Sequence, residues 1–131
     1  MTVKRYSHKD ARAGLKEKLP KLDVLPNQFK GYKISIVIPE FSSLCPRTGM
    51  PDTGTITIDY EPNAFFVELK SLKYYILGYR NLGIFYENAV NRVLKDFVRT
   101  VKPRWARVRG EFHPRGGINS IVEAKHGKVP D

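Results

Sequence analysis

The chain predicts an α+β fold in which two consecutive helices cover one face of a four-stranded antiparallel sheet. Three observations carry this. Apolar residues alternate with period two over residues 32–38 and 55–60. They then recur at helical spacing over residues 69–80 and 85–101. Period two returns over residues 105–112 and, more weakly, 118–125. The order is ββααββ. Such a sheet has two open edges, and pairing them with neighbouring subunits in a closed ring is one way to cover them.

The elements follow in order. Residues 1–30 are rich in lysine and carry Leu15, Leu19, Leu22 and Leu25 at loose spacing around Pro20 and Pro26. They read as an extended or partly disordered arm suited to packing on a neighbouring subunit, with any helix confined to residues 8–18. In the first strand Tyr32, Ile34, Ile36 and Ile38 share a face, and Pro39 ends it. Residues 40–52 form a shaped loop, because Pro46, Gly49 and Pro51 interrupt helix and central strand alike. The second strand puts Ile56, Ile58 and Tyr60 on one face, and β-branched residues suit it. After the turn at Glu61, Pro62 and Asn63, a first helix presents Leu69, Leu72, Ile76 and Tyr79, with Gly83 as a left-handed cap. The second helix buries Val90, Val93, Leu94, Phe97, Val98 and Val101 and stops at Pro103. In the third strand Ala106, Val108, Gly110 and Phe112 face one way and Arg107, Arg109 and Glu111 the other. A turn or bulge at residues 113–117 leads to the fourth strand. The domain organisation is an arm (1–30), one catalytic-size domain (31–126) and a short tail (127–131).

Composition narrows the function classes. With 131 residues, 41% hydrophobic and 27% charged, the chain reads as one soluble globular domain. A single cysteine forbids an intrachain disulfide and any cysteine-rich metal site, and a free thiol suits the cytoplasm. His8, His113 and His126 lack metal-ligand spacing, so no metal is expected. No apolar run approaches the ~20 residues of a membrane span. The net charge of +10 favours an anionic partner, but the basic residues are dispersed, as on an ordinary solvated surface.

Cys45 and Asp52 share the constrained loop. A thiol and a carboxyl so placed can serve as nucleophile and proton donor, with Arg47 near enough to favour the thiolate. Equally, Cys45 can be a small buried hydrophobe and Asp52 a turn cap. Lys70 and Lys73 lie one turn apart on the first helix, behind Glu68, and can bind a phosphate or simply face water. Glu87 opens the second helix, where it can favour the dipole or, if buried, accept two N–H bonds from a guanine-like edge. Arg115, exposed by its turn, can meet phosphate or solvent.

Four ordered blocks now add up to a resemblance. They are residues 40–52 (Glu-Phe-Ser-Ser-Leu-Cys-Pro-Arg-Thr-Gly-Met-Pro-Asp), 68–75 (Glu-Leu-Lys-Ser-Leu-Lys-Tyr-Tyr), 79–87 (Tyr-Arg-Asn-Leu-Gly-Ile-Phe-Tyr-Glu) and 112–117 (Phe-His-Pro-Arg-Gly-Gly). Over about residues 30–120 the chain resembles the QueF family of NADPH-dependent 7-cyano-7-deazaguanine reductases, in its short single-domain type. The resemblance implies a tunnelling fold whose subunits oligomerise into a barrel, as a homodecamer of two stacked pentamers with active sites between subunits. It implies that Cys45 attacks the nitrile carbon to give a covalent thioimide and that Asp52 protonates the nitrile nitrogen. Val67, Glu68, Leu69, Tyr86 and Glu87 match the segments that hold the deazaguanine, and Lys70, Lys73 and Arg115 match the NADPH-phosphate contacts. The product is 7-aminomethyl-7-deazaguanine, on the route to queuosine in tRNA. Tyr86 is a departure, standing where many members have histidine; its phenol donates a hydrogen bond but is a poorer proton source near neutral pH.

Two rival readings remain. A QueF-like amidinotransferase would act on nitrile-modified tRNA, which the net charge suits, but has no need of the Lys70/Lys73 signature. A non-catalytic basic RNA-binding module would leave Cys45 and Asp52 idle, and no RNA-binding motif is present. The reductase reading needs a small-molecule substrate and no direct tRNA binding.

Overall fold

In the computed structural model, which describes residues 7–131, the elements are α1 (His8–Ala11), β1 (Val24–Pro26), β2 (Ile34–Leu44), β3 (Pro51–Glu61), β4 (Phe65–Val67), α2 (Leu69–Leu77), α3 (Tyr86–Val101), β5 (Trp105–Arg115) and β6 (Ile118–His126). Four strands form one antiparallel sheet in the order β2-β3-β5-β6, which leaves β2 and β6 as its edges. The alternation expected from the sequence is what builds its inner face. Ile56, Ile58 and Tyr60 of β3 and Ala106, Val108 and Phe112 of β5 are buried there against Val90, Val93, Phe97 and Val101 of α3. Tyr60 meets Phe97 edge-on at 4.7 Å between ring centres. Leu72, Tyr75 and Ile76 bring α2 into the same core.

The outer face is polar. There Asp59 accepts from Ser35 and pairs with Arg107 at 2.9 Å. The Ser35 and Arg107 bonds outweigh the cost of burial and hold the Asp59 carboxyl below the usual aspartate range.

Four local expectations are corrected. Pro39 does not end β2: the register shifts by one residue between Ile38 and Phe41, a bulge that absorbs the proline and lets the strand run on to Leu44. The 40–52 loop therefore shrinks to residues 45–50, and Asp52 lies within β3. Gly83 is not a left-handed cap: α2 ends at Gly78 in a right-handed conformation, and the left-handed residue is Lys102 (φ 52°), which closes α3 before Pro103. Leu69 is exposed rather than part of the core stripe. Residues 7–30 also pack on their own domain: Leu22 joins the core, and β1 pairs with β4.

A second bulge, between Phe112 and Arg115, bends β5. Gly116 and Gly117, at φ 61° and 79°, then make the two-residue turn into β6. The extra residue decides which face Arg115 joins. Strict alternation from Phe112 would send Arg115 to the outer face, whereas the bulge returns it to the inner one.

Candidate active site

β2 delivers Cys45 to the first position of a six-residue turn, residues 45–50. The Cys45 N–H donates to the Met50 carbonyl and its own carbonyl accepts from Gly49, both at 2.9 Å. Gly49 sits at φ 70°, which only glycine adopts freely. The strand end is tied sideways as well. Leu44 donates to the Leu82 carbonyl at 2.9 Å and accepts from Ile84 at 3.0 Å, which sets the entry to α3 beside the Cys45 loop.

The thiol is half-buried. Burial alone would raise its pKa, but the hydroxyl and N–H of Thr48 and the N–H of Arg47 outweigh that and hold it below the ordinary value of 9.0. The Asp52 carboxylate works in the opposite sense.

Asp52 lies on the inner face of β3, opposite Ser43 of β2. Its side chain is 8% exposed, and one carboxylate oxygen accepts from Arg115 at 2.8 Å. Tyr86, the first residue of α3, packs its ring on Phe112 at 4.3 Å between centres, tilted by 39°, and donates to Ser120 of β6 at 2.8 Å. Asp52, Tyr86, Phe112, Arg115 and Ser120 all line one cavity of about 210 Å³. The structure thus brings Cys45, Asp52, Tyr86 and Arg115 to one end of the sheet. Glu87 follows Tyr86 but is exposed and does not line the cavity.

The other predicted residues lie elsewhere. Val67 donates to the Tyr60 hydroxyl at 3.0 Å, at the far end of β3. Asp52 and Tyr60 lie eight steps apart along β3, about 26 Å at strand rise. Glu68 is the N-cap of α2: its two oxygens accept from the N–H groups of Lys70 and Ser71, each at 2.8 Å. The bonds from Ser71 and Lys70 hold its carboxyl below the ordinary glutamate value of 4.5. Leu69, Lys70 and Lys73 are exposed along α2, and neither lysine forms an ion pair among the described residues.

Three site features escaped the sequence reading. Thr48 favours the Cys45 thiolate. Ser120 holds the Tyr86 hydroxyl. Ser43 is fully buried, and its Oγ has no hydrogen-bond partner among the described residues. Ser43 and Ser120 are polar residues on otherwise apolar faces, a signal the alternation carried. Among the described residues no cluster of side chains could hold a metal ion, and no helix is long and apolar enough to cross a membrane.

The family model described as QueF-like protein matches residues 51–131. This chain belongs to the QueF family. Its QueF relatives include a protein of Elusimicrobium minutum that is 52% identical over 124 residues, covering 94% of each chain. One from Chloroherpeton thalassium is 52% identical over 107 residues, 80% of this chain and 92% of the relative. One from Chlorobaculum tepidum is 49% identical over 109 residues, 82% and 93% of the two. All three are named NADPH-dependent 7-cyano-7-deazaguanine reductase. Among solved structures, the apo form of the archaeosine synthase QueF-Like matches with a TM-score of 0.71 at 20% identity, covering 78% of this chain and all of that one. At that identity the likeness shows the shared fold alone.

Proposed function

We propose that this chain is an NADPH-dependent reductase that converts the nitrile of 7-cyano-7-deazaguanine to the aminomethyl group, in queuosine biosynthesis, with Cys45 as nucleophile and Asp52 as acid. The observation that carries the assignment is a thiol with a lowered pKa at the same end of the sheet as a buried, arginine-held carboxyl, in a chain half identical to proteins named for that activity.

The chemistry follows from the groups present. A nitrile is a poor hydride acceptor. Addition of the Cys45 sulfur to its carbon, with the thiol's proton passed through the Asp52 carboxylate to its nitrogen, gives a neutral thioimide and avoids a nitrogen anion. NADPH, when bound, supplies the hydride for the thioimide and, from a second molecule, the hydride for the imine that follows. Cleavage of the C–S bond between the two reductions returns Cys45 as thiolate, the state that its Thr48 and Arg47 donors favour. Val67, Glu68, Leu69, Tyr86 and Glu87 would hold the deazaguanine. Exposed and without ion pairs among the described residues, Lys70 and Lys73 fit a phosphate group. Arg115 is 47% exposed while it holds Asp52, which leaves guanidinium donors for a phosphate.

The same proposal includes a tunnelling-fold assembly, a barrel of subunits in two stacked pentamers. The separation of the two residue sets supports it, because a substrate of base size cannot span about 26 Å of strand. A complete site then needs the Cys45 end of one subunit and the α2 end of another. Unpaired edges β2 and β6 supply the surfaces, with Val37 and Ile121 on them 61% and 59% exposed. A cytoplasmic location and a free-base substrate, without direct tRNA binding, complete the reading.

The test is stoichiometry. Protein given 7-cyano-7-deazaguanine should oxidise two NADPH for each 7-aminomethyl-7-deazaguanine formed. Ammonia addition to a nitrile-bearing tRNA without NADPH oxidation would instead select the amidinotransferase, whose fold is shared.

A further inference from the structure

Residues 7–17 precede every strand, yet their contacts converge on the loop and helix of the candidate site. A capping box starts α1: Asp10 accepts from the Ser7 N–H at 3.0 Å, and Ser7 Oγ accepts from the Asp10 N–H at 3.3 Å. The same Asp10 oxygen holds the Arg47 guanidinium at 3.3 Å, two residues beyond Cys45. The Ala11 carbonyl accepts from Asn88, in the first turn of α3, at 2.7 Å. One turn further on, Arg92 donates to the carbonyls of Gly14 and Glu17. Between these ties the chain passes against residues 83 and 84: a Cβ on Gly14 would lie 2.5 Å from that of Ile84, and its φ of 81° also favours glycine. Ile84 is itself bonded to Leu44, the residue before Cys45.

We propose that residues 7–17 form a strap that fixes the Cys45 loop against α3, and that Asp10 is a positioning residue for Cys45, acting through Arg47. The proposal rests on Cys45 being the nucleophile. The turn that carries the N–H groups of Arg47 and Thr48 beside the sulfur is closed by the Cys45–Met50 and Gly49–Cys45 bonds, and anchoring the Arg47 side chain holds that turn in place. The Arg47 N–H favours the thiolate, while its guanidinium is paired with Asp10. Asp52, itself held by Arg115, acts against the thiolate.

The test is the rate of alkylation of Cys45, the only cysteine, by iodoacetamide across pH. Asp10→Ala should alkylate about threefold more slowly near neutral pH, as suits one partly exposed ion pair. Its rate–pH midpoint should move upward with the alkaline plateau unchanged, and Asp10→Glu should restore most of the rate. An unchanged rate and midpoint would overturn the proposal. So would a faster reaction with a lower midpoint, which would mean that the freed guanidinium acts by its charge. If Asp10→Ala fails to fold, Asn88→Ala cuts a second tie and carries the same expectation. Turnover measured in parallel separates the two claims. Altered alkylation in a protein that does not reduce the nitrile sinks the function and keeps the strap, and the converse sinks only the strap.

Discussion

Arg115 holds Asp52. The two residues are 63 apart in sequence and joined at 2.8 Å, the arginine half exposed and the carboxylate buried. The bulge in β5 is what permits this, since it turns Arg115 onto the face that carries Asp52. The arginine therefore fixes the direction in which the acid points, whatever else it binds.

Arg115→Ala is accordingly expected to slow capture of the nitrile by Cys45 about tenfold, even without NADPH, because the acid loses its orientation. The loss in stability should be small, about 1 kcal/mol, since the guanidinium is half in water. Arg115→Lys keeps the charge without the planar fork and should recover part of the rate. A variant that captured nitrile at the wild-type rate, with only a raised KM for NADPH, would reduce Arg115 to a phosphate contact.

Glu68 should make stability depend on pH. Its folded carboxyl titrates below the ordinary value because the α2 N–H groups of Ser71 and Lys70 bind the charged form. That contribution is full above pH 4.5 and is lost as pH falls through the lower folded value. Thermal midpoints of wild type and Glu68→Gln should therefore differ at neutral pH and converge in acid. A constant gap across the range would contradict a capping role.

Much of the architecture was legible because burial and period coincide. Ile56, Ile58 and Tyr60, or Val90, Val93 and Phe97, can face only one way, and they are buried as their spacing predicts. Element ends were not legible. Pro39 stops a regular strand but not a bulged one, and the bulge depends on pairing with residues 54–56 of a different strand. Motifs nominated the candidate site residues, but the side chains they touch in the fold were not legible. Nothing near Arg115 in sequence indicates Asp52, and nothing in the lysine-rich arm indicates that Asp10 reaches Arg47.

The distance between the two halves of the proposed site gives a prediction about assembly. Cys45→Ala and Lys73→Ala chains should each be inactive or nearly so. Co-assembled in equal amounts, they should regain about a quarter of wild-type activity if each site draws one end from each of two subunits, since one random pairing in four is intact. No recovery on mixing would place both halves in one subunit.

The central claim is that Cys45 captures the nitrile covalently. Intact-protein mass spectrometry after incubation with 7-cyano-7-deazaguanine, without NADPH, tests it most directly. The account predicts one added substrate mass per chain, absent in Cys45→Ala and discharged when NADPH is supplied. A wild-type chain that gains no mass while still reducing the nitrile would contradict it.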